Sequence, residues 1–240
     1  MSLFVADFFS GLDGWGAAFR DRGHTVVSFD LDPRFKPNVV VDMNNVRAVN
    51  GFDVILASPP CECFSVMTIG KNWNKDRTPK TERARAALSL AWHTFSLIDR
   101  YVSWFVRPPW YVIENPRGML RKVAPRPNDA TTWYCRWGAP YAKPTDLWTN
   151  LNGGSAFGWP SCAPNAPDHP PSPRGNVTVG TQGVRRKFIL GASTHEATAQ
   201  RALIPYRLSL AVCLAAERDG TLPSMEEVIA VEAELKGRAA

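Results

Sequence analysis

The run Ser58-Pro59-Pro60-Cys61-Glu62-Cys63-Phe64-Ser65 places a thiol where it can act as a nucleophile. It follows Phe52-Asp53-Val54-Ile55-Leu56-Ala57, an apolar stretch that reads as a buried strand. Two consecutive prolines cannot extend a sheet interior, so the chain must leave the sheet there and present Cys61 at its edge. The bland alternative is an inert, buried cysteine, the commoner fate of this residue type. Trp110-Tyr111-Val112-Ile113 repeats the logic, as a strand delivering the carboxylate of Glu114-Asn115-Pro116-Arg117 at its end. Asp7, Asp30 and Asp42 also close apolar runs. An acid after a second strand, as Asp30 is, can accept hydrogen bonds from ribose hydroxyls; its alternative is a helix N-cap.

Those side chains need a sheet whose strands all end on one side. Residues 3–9, 25–29, 39–41, 52–57 and 110–113 are short apolar runs of strand length. The first is followed by Ser10-Gly11-Leu12-Asp13-Gly14 and by a helix capped at Gly23. Strand, glycine turn and helix in succession bring backbone amides close to a nucleotide-like ligand. The pattern predicts an α/β fold whose polar strand ends converge on one crevice. Residues 82–105 read as a helix, 132–137 as a sixth region and 146–149 as a strand. A helix over 201–217, broken early by Pro205, and a peripheral helix over 222–236 complete the reading.

At 240 residues there is room for one substantial core. The net charge of +6 permits a polyanionic partner. Residues 71–85, with Lys71, Lys75, Arg77 and Lys80, are expected to form a mobile basic loop beside Cys61. Arg185 and Arg186 form a second basic cluster. No run is apolar enough to span a bilayer, no signal peptide is evident, and five cysteines lack a framework spacing. A soluble, cytoplasmic protein is expected. Cys162 and His169 have no matching ligand pair, so no metal is expected.

Asp7-Phe8-Phe9-Ser10-Gly11-Leu12-Asp13-Gly14 resembles the first signature of DNA cytosine-C5 methyltransferases, Asp-Leu-Phe-Ser/Ala-Gly-x-Gly-Gly. Pro59-Pro60-Cys61-Glu62-Cys63-Phe64-Ser65 resembles their Pro-Pro-Cys-x-x-Phe-Ser loop, and Glu114-Asn115-Pro116 their Glu-Asn-Val. The resemblance covers roughly residues 1–150 and implies a Rossmann-like methyltransferase fold: a mostly parallel sheet flanked by helices, using S-adenosylmethionine. It implies a donor site formed by Asp7, Phe9, Ser10, Gly11, Gly14 and Pro59, with Asp30 on the ribose and Asp42 on the adenine amino group. Cys61 becomes the covalent nucleophile for C6 of a flipped-out cytosine, in surroundings that favour its anion. Glu114 hydrogen-bonds ring N3 and the exocyclic amine. Pro60, Asn115 and Lys143 complete the catalytic set, Asn115 by ordering the turn.

Three departures stand out. Asp13 replaces a glycine and Pro116 a valine, and the later Gln-x-Arg-x-Arg signature has no clean match. Lys143, in Pro140-Tyr141-Ala142-Lys143-Pro144-Thr145, occupies that slot by strand order, with Gln182-Gly183-Val184-Arg185-Arg186 as its rival. Residues 1–150 are then a catalytic domain, 151–195 a very small proline-rich and basic recognition segment, and 196–240 C-terminal helices. The first of these, through Ile204-Pro205-Tyr206-Arg207-Leu208-Ser209, packs back near the donor site. The resemblance implies double-stranded DNA as the partner, with a monomer expected to bind it through the basic loop and Arg185 and Arg186. C5 chemistry on RNA or free nucleotides, or an inert DNA-binding relative, are the alternatives.

Overall fold

The computed structural model describes residues 2–154, 158–162 and 202–239. Its strands are β1 (Phe4–Phe8), β2 (Thr25–Asp30), β3 (Val39–Val40), β4 (Val54–Ala57), β5 (Trp110–Pro116), β6 (Ala130–Trp133) and β7 (Pro144–Thr149). They form one sheet in the order β3-β2-β1-β4-β5-β7-β6. The first five are mutually parallel, and β7 runs antiparallel to both β5 and β6. The fold is the expected Rossmann-like one, mostly parallel and flanked by helices. Strand order reverses between β1 and β4, the switch point outside which open α/β sheets bind ligands.

The helical elements are α1 (Gly16–Asp21), α2 (Ile69–Asn72), α3 (Glu82–Ser103), α4 (Leu120–Val123), α5 (Tyr206–Ala216) and α6 (Met225–Ala239). Alternation along the strands divides the core. Val5, Val54, Leu56 and Val112 pack with Phe19, Leu208 and Ala211 of α1 and α5, while Ala6, Ile55 and Ile113 pack with Phe95 and Ile98 of α3. Both faces are covered, which is why the central strands read as unbroken apolar runs. Helix α3 starts where Thr81 caps it, its hydroxyl accepting from the Ala84 amide at 3.1 Å.

Several boundaries differ from expectation. Strand β5 does not stop at Ile113 but runs to Pro116. Its parallel neighbour β4 leaves at Ala57, yet β7 continues the ladder on the other side, pairing Leu147 with Glu114 and Asp146 with Asn115. Glu114 therefore lies inside a strand. Asp7 likewise lies inside β1, and Asp42 lies beyond the end of β3. Helix α5 begins after Pro205, because a proline turns the preceding residue away from helical backbone. Strand β7 begins at Pro144, helix α3 ends at Ser103, and α6 lies three residues later than expected. Most of the expected 151–195 recognition segment, with Arg185, Arg186 and His169, lies outside the described residues, as does Arg201.

Candidate active site

Cys61 opens a helical turn at the end of β4. The Ser58 amide still donates to the Phe8 carbonyl at 3.2 Å, after which two prolines offer no donors and the chain turns. The Cys61 carbonyl then accepts from the Phe64 and Ser65 amides, both at 3.0 Å. Phe64 is fully buried, and its carbonyl accepts from the Met119 amide at 2.8 Å. The turn fits only because residue 118 is a glycine, where a Cβ would stand 2.2 Å from the Phe64 carbonyl oxygen. Asn115 completes the brace by donating from Nδ2 to the Pro59 carbonyl at 2.8 Å. Cys61 is half-buried, whereas Cys63 is buried and its carbonyl accepts from the Trp73 indole at 2.7 Å. Pro59 is buried in the turn and Pro60 is exposed.

Burial pushes the Cys61 thiol up; Lys143 counters this, while Glu114 and Glu62 add to it. The expectation of a site that already favours the thiolate is not met in the free protein, because desolvation outweighs the nearby cation. Glu114 is also buried. Alternation puts it on the Val112 face and Asn115 on the Ile113 face. Three groups meet its Oε1: the Tyr134 hydroxyl at 2.9 Å, the Thr145 hydroxyl in a short hydrogen bond, and Lys143 Nζ at 3.9 Å. Lys143 Nζ also stands 4.2 Å from the centre of the Tyr134 ring. Cys61, Glu114 and Lys143 thus share one electrostatic environment.

Beside this cluster, at the switch point, lies a slot of about 90 Å³ lined by Phe9, Ser10, Gly11, Gly14, Ser58 and Ile204 among others. Phe9 and Gly11 reach left-handed backbone, with φ of 61° and 49°, and turn the loop back over β1. Asp13, the departure from a glycine, is also left-handed at φ 61° and is held in an ion pair by Arg20. Asp is among the few side chains that tolerate this conformation. Gly14 admits the close approach of the C-terminal segment, since a Cβ there would lie 2.7 Å from the Ile204 amide nitrogen.

The three acids have different surroundings. Asp30 accepts from the Gly11 and Asp32 amides, each at 2.9 Å, so it ties the loop to the end of β2. Asp42 caps the 3-10 turn Met43–Asn45, accepting from the Asn44 amide at 2.9 Å. Asp7 is fully buried, neither oxygen makes a hydrogen bond of normal geometry among the described residues, and burial holds its carboxyl well above the usual carboxylate range. It lies beneath the loop, off the slot's lining.

The basic segment is not the mobile loop expected. Trp73 is buried against Phe64, with ring centres 5.7 Å apart. The Lys80 amide donates to the Asn72 carbonyl at 2.7 Å, and Asn74 to Thr78 at 2.9 Å. This anchor holds Lys71, Lys75, Arg77 and Lys80 exposed, without ion pairs among the described residues, whereas Arg83 is paired with Glu62 and Arg85 with Glu82. Away from the site, His24, Cys213 and Glu217 come together in a group able to hold a metal ion. Arg22, however, grips Glu217 at 2.6 and 2.7 Å, and His24 Nδ1 accepts from the Leu3 amide, which leaves the proton on the nitrogen facing Glu217. That arrangement suits an ion-pair tie rather than a metal ligand.

Over 190 residues the chain is 28% identical to a "Probable DNA (cytosine-5)-methyltransferase" of Frog virus 3 (isolate Goorha), covering 74% of this chain and 85% of the relative. The chain is similar to a cytosine-C5 methyltransferase. The resemblance read from the motifs therefore extends over most of the sequence. Among solved structures, the Entamoeba histolytica methyltransferase EhMeth matches at 17% identity and a TM-score of 0.40, over 61% of this chain and 52% of its own. The S. pombe Dnmt2 methyltransferase matches at 16% and 0.38, over 60% and 50%. The chain spans about half the length of these structures. No family model matches.

Two residues at the centre of the cluster, Tyr134 and Thr145, escaped the sequence reading. Thr145 carried a faint signal, because it stands two residues after Lys143 and so shares its face as β7 begins. Tyr134 carried none, since a tyrosine in an apolar run reads as core.

Proposed function

We propose that the chain methylates C5 of cytosine in DNA, with S-adenosylmethionine as the donor. The observation that carries this reading is the meeting of Cys61, Glu114 and Lys143 beside the slot at the sheet's switch point. The slot's polar and glycine lining suits an edge of the donor. A side chain at Gly11 would find nothing nearer than the Phe9 carbonyl at 4.0 Å, so the glycine leaves room at the slot's edge. Phe9, Ser10, Gly11 and Ser58 would line the donor, with Asp30 and Asp42 offering their remaining acceptor capacity to its polar edges. When bound, the donor supplies an electrophilic methyl group.

Carbon-5 of cytosine is too weak a nucleophile by itself. Cys61 Sγ, as thiolate, forms a bond to C6; the C5=C6 pair moves into C4–C5, and the C4=N3 pair moves onto N3. N3 takes a proton from Glu114, which leaves C5 enamine-like. Once C5 is substituted, loss of its proton and departure of the Cys61 thiolate restore C5=C6, and N3 returns its proton to Glu114. Lys143 opposes the burial that holds Cys61 in the thiol form. The base must leave the helix to reach this pocket, at a cost of a few kcal/mol. The exposed cations on the Trp73-anchored segment are placed to offset that cost through phosphate contacts.

The test is transfer of labelled methyl from S-adenosylmethionine to duplex DNA, followed by nucleoside analysis. 5-Methylcytosine that vanishes in Cys61→Ala and Glu114→Gln supports the reading. DNA binding without any modified base sinks it, and an RNA and nucleotide panel would then follow.

A further inference from the structure

We propose that Tyr134 and Thr145 are positioning residues that confine the Glu114 proton to Oε2, so that the acid acts toward the base from one oxygen only. The inference rests on the reading of Glu114 as the proton donor to N3. The Tyr134 and Thr145 hydroxyls both donate to Oε1, and neither has another acceptor among the described residues. Lys143, an obligate donor, stands on the same oxygen at 3.9 Å. Were the proton on Oε1, it would point at one of the two hydroxyl oxygens, and that hydroxyl's own buried hydrogen would lose its acceptor. With the proton on Oε2, every donor at Oε1 is accepted. Oε2 has no hydrogen-bond partner among the described residues, so it remains for the base. Tyr134 adds a second constraint, because its ring face holds the Lys143 ammonium on the Oε1 side. Burial first, and Glu114 second, push the Tyr134 hydroxyl well above its ordinary range, so it stays a donor.

The balance is simple. As the Sγ–C6 bond forms, the Oε2 proton moves to N3, and the new carboxylate charge is met by the donors already on Oε1. In the absence of any methyl donor, the resulting enamine takes a deuteron from D₂O at C5, loses the original proton, and expels Cys61.

The experiment therefore follows exchange of cytosine H5 for deuterium in duplex DNA, with the full chain and no cofactor. Tyr134→Phe and Thr145→Val should each slow the exchange about tenfold to hundredfold at saturating DNA, the loss of one hydrogen bond to a charged group, with KM for DNA unchanged. Thr145→Ser, which keeps the hydroxyl, should restore the parent rate. The double variant should lose less than the product of the singles, since both act on one proton. Parent-like exchange in Tyr134→Phe, or Thr145→Ser as impaired as Thr145→Val, overturns the inference while leaving the function intact. No exchange in the parent, with DNA bound, overturns the functional reading and this inference with it.

Discussion

Replacing Asp7 with Asn tests the electrostatics beneath the glycine loop. Burial raises the Asp7 carboxyl, Asp13 adds to the rise, and Arg20 opposes it. Below the unfolded pKa of about 3.9, both states hold the proton and the group costs nothing. As pH climbs from there toward the folded value, the unfolded chain releases a proton that the folded chain keeps. Stability then falls by about 1.4 kcal/mol per pH unit, and the fall ends once the folded group also ionises. The Asn variant does not titrate, so its advantage over the parent should widen by that amount per unit. In a chain of this size 1 kcal/mol moves Tm by roughly 2–4 °C, so the gap should grow by roughly 3–6 °C per pH unit. Thermal unfolding of both proteins from pH 4 to 8, at fixed ionic strength, reads this directly. Parallel curves of Tm against pH would mean that Asp7 ionises as freely folded as unfolded, and the argument would fail.

Gly118→Ala should destabilise the fold by about 1–3 kcal/mol, because the new methyl must displace the Phe64 carbonyl. Methyl transfer should suffer more than denaturant stability does, since that carbonyl belongs to the turn carrying Cys61; equal or smaller losses in activity would argue against this coupling. In Lys143→Met, alkylation of Cys61 by iodoacetamide should begin at higher pH than in the parent, because the cation that opposes desolvation is gone. An unchanged profile would remove Lys143 from the account. Changing Lys71, Lys75, Arg77 and Lys80 to Gln should flatten the dependence of DNA affinity on salt, by up to about 0.9 in log–log slope per lost contact. A slope equal to the parent's would place the phosphates elsewhere.

The parts of the site fixed by local chemistry were legible in the sequence. Two prolines ahead of Cys61 forbid a sheet ladder whatever surrounds them, and a glycine turn after an apolar run is a local event. Glu114 was singled out at a strand end, yet β5 runs past it to Pro116, because the length of β5 depends on β7, about thirty residues away in sequence. Tyr134 was invisible and Thr145 only faintly legible for the same reason: their meaning lies in which oxygen they touch, and that is set by sheet register. Trp73 sits inside a charged run, yet it is the buried anchor that orders the basic segment. Asp42 lies just beyond β3 and also caps a local turn, a task that other short polar side chains can perform.

The tie of Arg22 and His24 to Glu217 joins the α1–β2 corner to the end of α5. One face of the sheet is thus roofed by a helix that lies far downstream of its strands in the chain. During synthesis, Leu56 and Val112 leave the ribosome long before Leu208 and Ala211 exist to cover them. Until then the nascent chain displays a bare apolar sheet, the kind of surface that chaperones hold and that aggregates when they do not.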